Sequence, residues 1–179
     1  MSSELSASFE NALAALVSQG VGLVGLTSNN VTTGFTDETR ELPSFACVVA
    51  DNEPNGKRSQ TRKLTGSIQV ESSSTDKYGA QLAQDRHSDL VECVIESIDV
   101  VDIKSQLTGA AGGAFHVYSF ELGNQSRITD GIQQIQTTIP FECLCVYLGN
   151  NQQAVDSVGS IATDSEGNPA TDSKNNLAI

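Results

Sequence analysis

The chain has 179 residues, enough for one ordinary domain with extensions and cramped for two. It carries 22 acidic against 10 basic residues, a net charge of −12 that disfavours ordinary phosphate-contact binding to nucleic acid, and it has no Trp and few aromatic residues to stack on bases or sugars. Nothing apolar is long enough to span a bilayer, and Met1-Ser2-Ser3-Glu4 lacks the positive segment of a secretion signal. Cys47, Cys93, Cys143 and Cys145 sit in apolar or periodic stretches, so the expectation is a soluble chain made in a cytoplasm with reduced thiols.

Leu5, Phe9, Ala12, Leu13, Leu16 and Val17 recur at helical spacing and predict a first helix of about four turns, stopped near Gly20. Val21 to Leu26 is apolar but broken by glycine, a short strand or packed linker, and polar residues 27–41 predict a loop. From Leu42, Phe45, Cys47 and Val49 alternate with Ala46, Val48 and Ala50, which predicts a strand covered on both faces; Asp51 to Gly56 ends it. Lys57, Arg58, Arg62 and Lys63 follow, four of the ten basic residues within seven positions, at the tip or along one arm of a long-looped hairpin.

The stretch from Ser59 to Ile98 organises the rest. A strand places Leu64, Gly66, Ile68 and Val70 on one face and Thr65, Ser67, Gln69 and Glu71 on the other, and a polar loop leads to a helix capped at Asp85 or Ser88. That helix carries Leu90, Val91, Val94, Ile95 and Ile98 along one side. Each buried large aliphatic residue contributes about 1.5 to 3 kcal/mol, so helix and strand are expected to pack together. Asp99 to Leu107 predicts a short helix and Gly109 to Gly113 a turn. Ala114 to Leu122 predicts a strand with Phe115 and Val117 opposite His116, Tyr118 and Phe120, and Gly123 to Gly131 a turn-rich connection.

Ile135 to Leu148 predicts the longest strand, with Ile135, Ile139, Phe141, Cys143, Cys145 and Tyr147 on one face. Pro140 cannot donate to a ladder, so the strand is expected to be at an edge there, bulged or broken. Past Gly149 the composition turns to Asn, Gln, Ser, Asp, Gly and Ala, which predicts an arm ordered by a partner. The expectation is therefore α+β: residues 1–149 form a mainly antiparallel sheet of about four strands with helices on one face, and 150–179 an extended arm.

Chemistry is sparse. His87-Ser88-Asp89 has the letters of a hydrolase triad, but neighbours on a helix diverge by about 100°, so a cap and first turn is the better reading. The Gly109–Gly113 loop precedes a strand, whereas phosphate-cradling loops follow one and open a helix. Cys143 and Cys145 point the same way but lack further ligands, which favours core packing over a metal site. Neither catalytic residues nor a cofactor are predicted. The basic cluster is either a solvated loop or a positive projection onto an acidic neighbour.

Three segments taken with that element order carry a likeness: the strand Arg62-Lys63-Leu64-Thr65-Gly66-Ser67-Ile68-Gln69-Val70, the helix His87-Ser88-Asp89-Leu90-Val91-Glu92-Cys93-Val94, and the pair Arg127-Ile128-Thr129-Asp130-Gly131 and Thr138-Ile139-Pro140-Phe141-Glu142-Cys143. Across residues 5–148 the chain resembles the tail terminator proteins of long-tailed bacteriophages; the tail after Gly149 has no counterpart in that family. The resemblance implies a virion protein without enzymatic activity, an α+β subunit closing into a ring, usually hexameric, that caps the tail tube, ends its growth and offers the head-joining surface. Its partners would be copies of itself, the tube protein and a head–tail connector or stopper, with DNA passing an acidic lumen unbound. The loop with Lys57, Arg58, Arg62 and Lys63 would then contact the tube or a neighbouring subunit. Competing expectations are another neck protein, a soluble binding module and, last, a small hydrolase using His87 or His116.

Overall fold

Apolar residues three and four apart from Leu5 to Val21 form one stripe, and in the computed structural model they are the buried face of α1, Ser2–Gly22. The structure describes residues 2–34, 41–56, 60–75, 80–98, 102–130 and 134–148; the predicted arm lies outside them. Gly20 does not stop the helix. It is the point where α1 meets α2, Ala80–Ile98: a Cβ there would collide with that of Ser97, and the Cys93 thiol donates to the Gly20 carbonyl at 3.2 Å. Val21–Leu26 is consequently the helix end and a turn, with Gly25 at φ +83°.

Among the described residues the sheet has six strands: β1 Val31–Thr33, β2 Ser44–Pro54, β3 Thr61–Ser73, β4 Phe115–Leu122, β5 Ser126–Asp130 and β6 Gln134–Tyr147. The order is β1-β2-β3-β6-β4, with β5 also on β6; β1 runs parallel to β2 and every other pairing is antiparallel. Two of these strands fall in stretches predicted as loop or turn. β1 is only three residues long and β5 has no apolar alternation, so neither leaves a periodic trace. α1, α2 and the short α3, Ile103–Ala110, pack on one face, so the architecture is α+β as expected. That face is built from alternate residues, Phe45 and Cys47 on β2, Leu64, Ile68 and Val70 on β3, Ile139, Phe141, Cys143 and Cys145 on β6. Phe9 of α1 sits at its centre, with ring centroids 5.6 Å from both Phe115 and Phe141. β2 is buried on both faces from Ser44 to Val48, as its doubly apolar sequence predicts.

Pro140 neither breaks nor bulges β6; the strand is central, and the expected edge is local, one flank being open at Pro140. On one side its whole length pairs with β3, Pro140 opposite Ser67. On the other side β4 ends at Leu122, opposite Phe141, and β5 starts at Ser126, opposite Thr138. The Pro140 carbonyl accepts from the Gly123 N–H at 2.7 Å, so its nitrogen points at the same gap, where no ladder exists to miss a donor.

β2, which β1 covers only from Phe45 to Cys47, and the outer strand β4 are irregular and locally sealed. The β2 register slips between Val49 and Asp51, and the free Val49 N–H donates to the Glu10 carboxylate of α1 at 2.7 Å. The β4 register slips between Val117 and Ser119, and the Val117 N–H is directed at the Thr108 hydroxyl of α3, 3.4 Å away. Bulges and side-chain partners of this kind stop an edge from templating another strand.

β3 is held closest at Gly66, where a Cβ would overlap the Val48 carbonyl oxygen and lie 2.6 Å from Phe141 Cζ. We expect Gly66→Ala to cost about 2 to 3 kcal/mol in urea unfolding, since backbone rather than a flexible side chain would have to yield. A loss below 0.5 kcal/mol would show that this approach is not constrained.

Candidate functional site

The two described members of the basic cluster are used within the chain. Even-numbered residues of β3 face the helices, so Arg62 emerges on that side. Its Nε donates to Asn52 Oδ1 at 2.7 Å and its terminal nitrogen to the Asn52 carbonyl at 2.6 Å, while Asn52 Nδ2 donates to Ser6 Oγ of α1 at 3.0 Å. Arg62 thereby fastens the hairpin to the first turns of α1. Lys63 faces the other way and pairs with Glu142 at 2.8 Å. Lys57 and Arg58 lie outside the described residues.

The sheet face opposite the helices carries no helix among the described residues. Its register lines up Asp51, Thr65, Glu142 and Glu121 in one row across β2, β3, β6 and β4. Glu142 and Glu121 stand directly opposite one another, an arrangement that costs energy unless a cation is near. Lys63 serves Glu142; the exposed Glu121 side chain makes no hydrogen bond or ion pair among the described residues. Beside this row is an open hollow of about 500 Å³, with Ala50, Leu122, Gly123 and Pro140 among its lining and Thr65, Glu121 and Glu142 also contributing.

His87 lies in the middle of α2, not in its first turn, because the helix begins at Ala80. The expected caps are interior too: Asp85 accepts from Gln81 Nε2 at 3.0 Å, and Ser88 Oγ donates to the Gln84 carbonyl at 3.0 Å. His87 is fully buried, while Ser88 and Asp89 point to solvent, so the three do not converge. Its Nδ1 is 2.8 Å from Ser72 Oγ on β3 and its Nε2 2.8 Å from Thr137 Oγ1 on β6. One hydroxyl donates to the bare ring nitrogen and the other accepts from the protonated one, which satisfies a neutral ring completely. Burial, with help from the Arg127 guanidinium, lowers its pKa to about 4. No carboxylate bonds the ring, so this is a clamp joining α2 to two strands. His116 is exposed and stacks edge-on with Tyr118, ring centroids 5.2 Å apart.

The cysteines behave as core residues. Burial pushes the Cys47 thiol up to about 12, and Cys143 is raised by its hydrogen bond to Cys145 and by burial, so these thiols keep their protons. Cys47 is opposite Ile68, not Leu64 as Cys143 is, which separates it from the pair along the strands. Among the described residues no group of three or more His, Cys, Asp or Glu is placed to hold a metal. No helix there is long and apolar enough to cross a membrane. No protein-family model matches the sequence, and no curated protein is significantly similar to it.

Neither the acidic row nor the histidine clamp is evident from motif reading. The clamp does leave a trace: Ser72 and Thr137 continue the inward registers of their strands, and His87 lies four residues before Val91 on the apolar stripe.

Because the folded state binds the His87 proton less tightly than the unfolded chain, its contribution to stability is complete above about pH 6.5 and is lost as pH falls toward 4. Between pH 7.5 and 4.5 we expect the wild type to lose roughly 2 to 3 kcal/mol more than His87→Gln in urea titrations, the value following from 1.36 kcal/mol per unit. Equal losses would remove His87 as the cause. We further expect Arg62→Ala to cost about 2 kcal/mol, and Lys63→Ala less than about 0.5 kcal/mol, measured in the same way.

Proposed function

We propose that this protein is a structural virion subunit of the tail terminator kind, closing into a ring that caps the phage tail tube and presents the surface joined by the head. The observation that carries this reading is the division of labour between the two sheet faces. The helix side uses its histidine, its arginine and its thiols for internal bonding and packing. The opposite side presents an acidic row and a hollow, surfaces that other chains could meet. The helix, hairpin, helix and paired-strand order agrees with the resemblance between residues 5 and 148. The excess of acidic residues suits a lumen past which DNA slides without adhering. On this reading the β2–β3 loop contacts the tube or the next subunit, residues 150–179 lie on a neighbour, and the connector or stopper meets the ring on its head side.

Another neck component, differing in its neighbours, is the nearest alternative. A soluble binding module is the second class of reading, which the same acidic row and hollow would serve; a small hydrolase using His87 or His116 ranks last. Purified protein mixed with growing tail tubes tests the proposal by electron microscopy. Tubes of limited length, each ending in a ring with a central opening, are expected, and tubes that grow unchanged in the presence of excess protein would overturn it.

A further inference from the structure

Asn55 and Gly56 follow the last paired residue of β2. The Asn55 N–H donates to the Thr61 carbonyl at 2.9 Å, just beyond the pair Pro54 and Arg62, and the Gly56 N–H turns back to the Pro54 carbonyl at 3.0 Å. Both residues are exposed. Gly56 sits at φ +95°, with open space among the described residues where a Cβ would stand. No other Asn-Gly pair occurs in the 179 residues. Such a pair places a side-chain carbonyl carbon one bond short of a five-membered ring with the next backbone nitrogen, and a glycine adds no Cβ to crowd the approach. Asparagine is among the thermolabile residues for this reason.

What separates Asn55 from its neighbours is freedom. Its side-chain amide makes no hydrogen bond among the described residues, and the Gly56 N–H closes only a three-residue turn, a bent bond that holds the nitrogen less firmly than a ladder would. Asn52 is held at both ends: Oδ1 accepts from Arg62, Nδ2 donates to Ser6, and Glu53 follows it within the paired strand. Asn30 is held likewise, by the Pro43 carbonyl and by Thr27. We propose that Asn55 is a site of spontaneous deamidation, with water as the co-reactant and ammonia as the product. The Gly56 nitrogen gives its proton to solvent and bonds to the Asn55 side-chain carbonyl carbon. The bond from that carbon to the amide nitrogen breaks, and ammonia leaves with a proton taken from water. Water then adds to either carbonyl of the cyclic imide. Opening on the side-chain side leaves aspartate, and opening on the main-chain side leaves isoaspartate, whose backbone is one carbon longer. Nothing is oxidised or reduced, and either product makes the charge of −12 one unit more negative. The Asn55 N–H precedes the altered bonds, so its bond to Thr61 and the β2–β3 ladder are kept. The change falls on the turn alone, and it holds whatever the chain assembles with.

Freshly prepared full chain, kept at mildly acidic and mildly alkaline pH and then mapped by peptide mass spectrometry, tests it. The peptide holding Asn55 is expected to gain the mass of an amide-to-acid exchange and, in water enriched in heavy oxygen, to take up one labelled atom. It should separate into two products, the more abundant one accepting a methyl group from an isoaspartyl-specific methyltransferase. Conversion is expected to be faster at the alkaline pH, where the attacking nitrogen loses its proton more readily, and at least about tenfold slower in Gly56→Ala. The native chain should react within about tenfold of the rate in urea, because an exposed turn needs little opening. An Asn55 that stays intact in the native chain while the unfolded chain converts would overturn the proposal. So would Asn52 reacting as fast as Asn55, or Gly56→Ala converting at the wild-type rate with unchanged circular dichroism.

Discussion

The structure depends on β6 being paired along both of its sides. Its fourteen residues meet β3 along one flank and are shared between β4 and β5 on the other, so one strand fixes the register of three. A proline in so central a position is tolerated because the second flank is interrupted where its missing donor would have been needed. The interruption in turn sets where β4 ends, where Gly123 turns, and where the hollow opens. One covalent constraint in the sequence thus bears on a surface feature lined by four strands.

The inner face shows how polar residues can serve a core. Ser72, His87 and Thr137 occupy positions where apolar side chains would continue the pattern, yet every ring nitrogen and hydroxyl has a partner. The arrangement orients α2 across β3 and β6 more narrowly than aliphatic packing would, because hydrogen bonds have direction and dispersion contacts have little. Arg62, Asn52 and Ser6 do the same for α1 at the other end of the hairpin. Both sets consume side chains that motif reading ranks among the candidates for function.

Much of this was legible in the sequence where a period persisted. The strand from Leu64 to Val70, the stripes of α1 and α2 and the inward face of β6 were all readable, because burial on one face imposes spacing of two or 3.6 residues. Short or polar elements were not: Val31–Thr33 is fixed by pairing with β2, and Ser126–Asp130 by pairing with β6, neither of which leaves a local signature. The start of α2 was placed late because Asp85 and Ser88 look like caps, whereas in the helix their side chains bond to the turn before them. The acidic row could not be read at all, since it is made of residues from four strands and exists only once the register is known.

Glu10 and Thr108 reach from different helices to β2 and β4, each taking up an amide beside a bulge. Lateral growth by backbone pairing is thereby discouraged at these two points. Association that goes through faces and loops stops when the geometry closes, whereas strand-to-strand stacking has no inherent end.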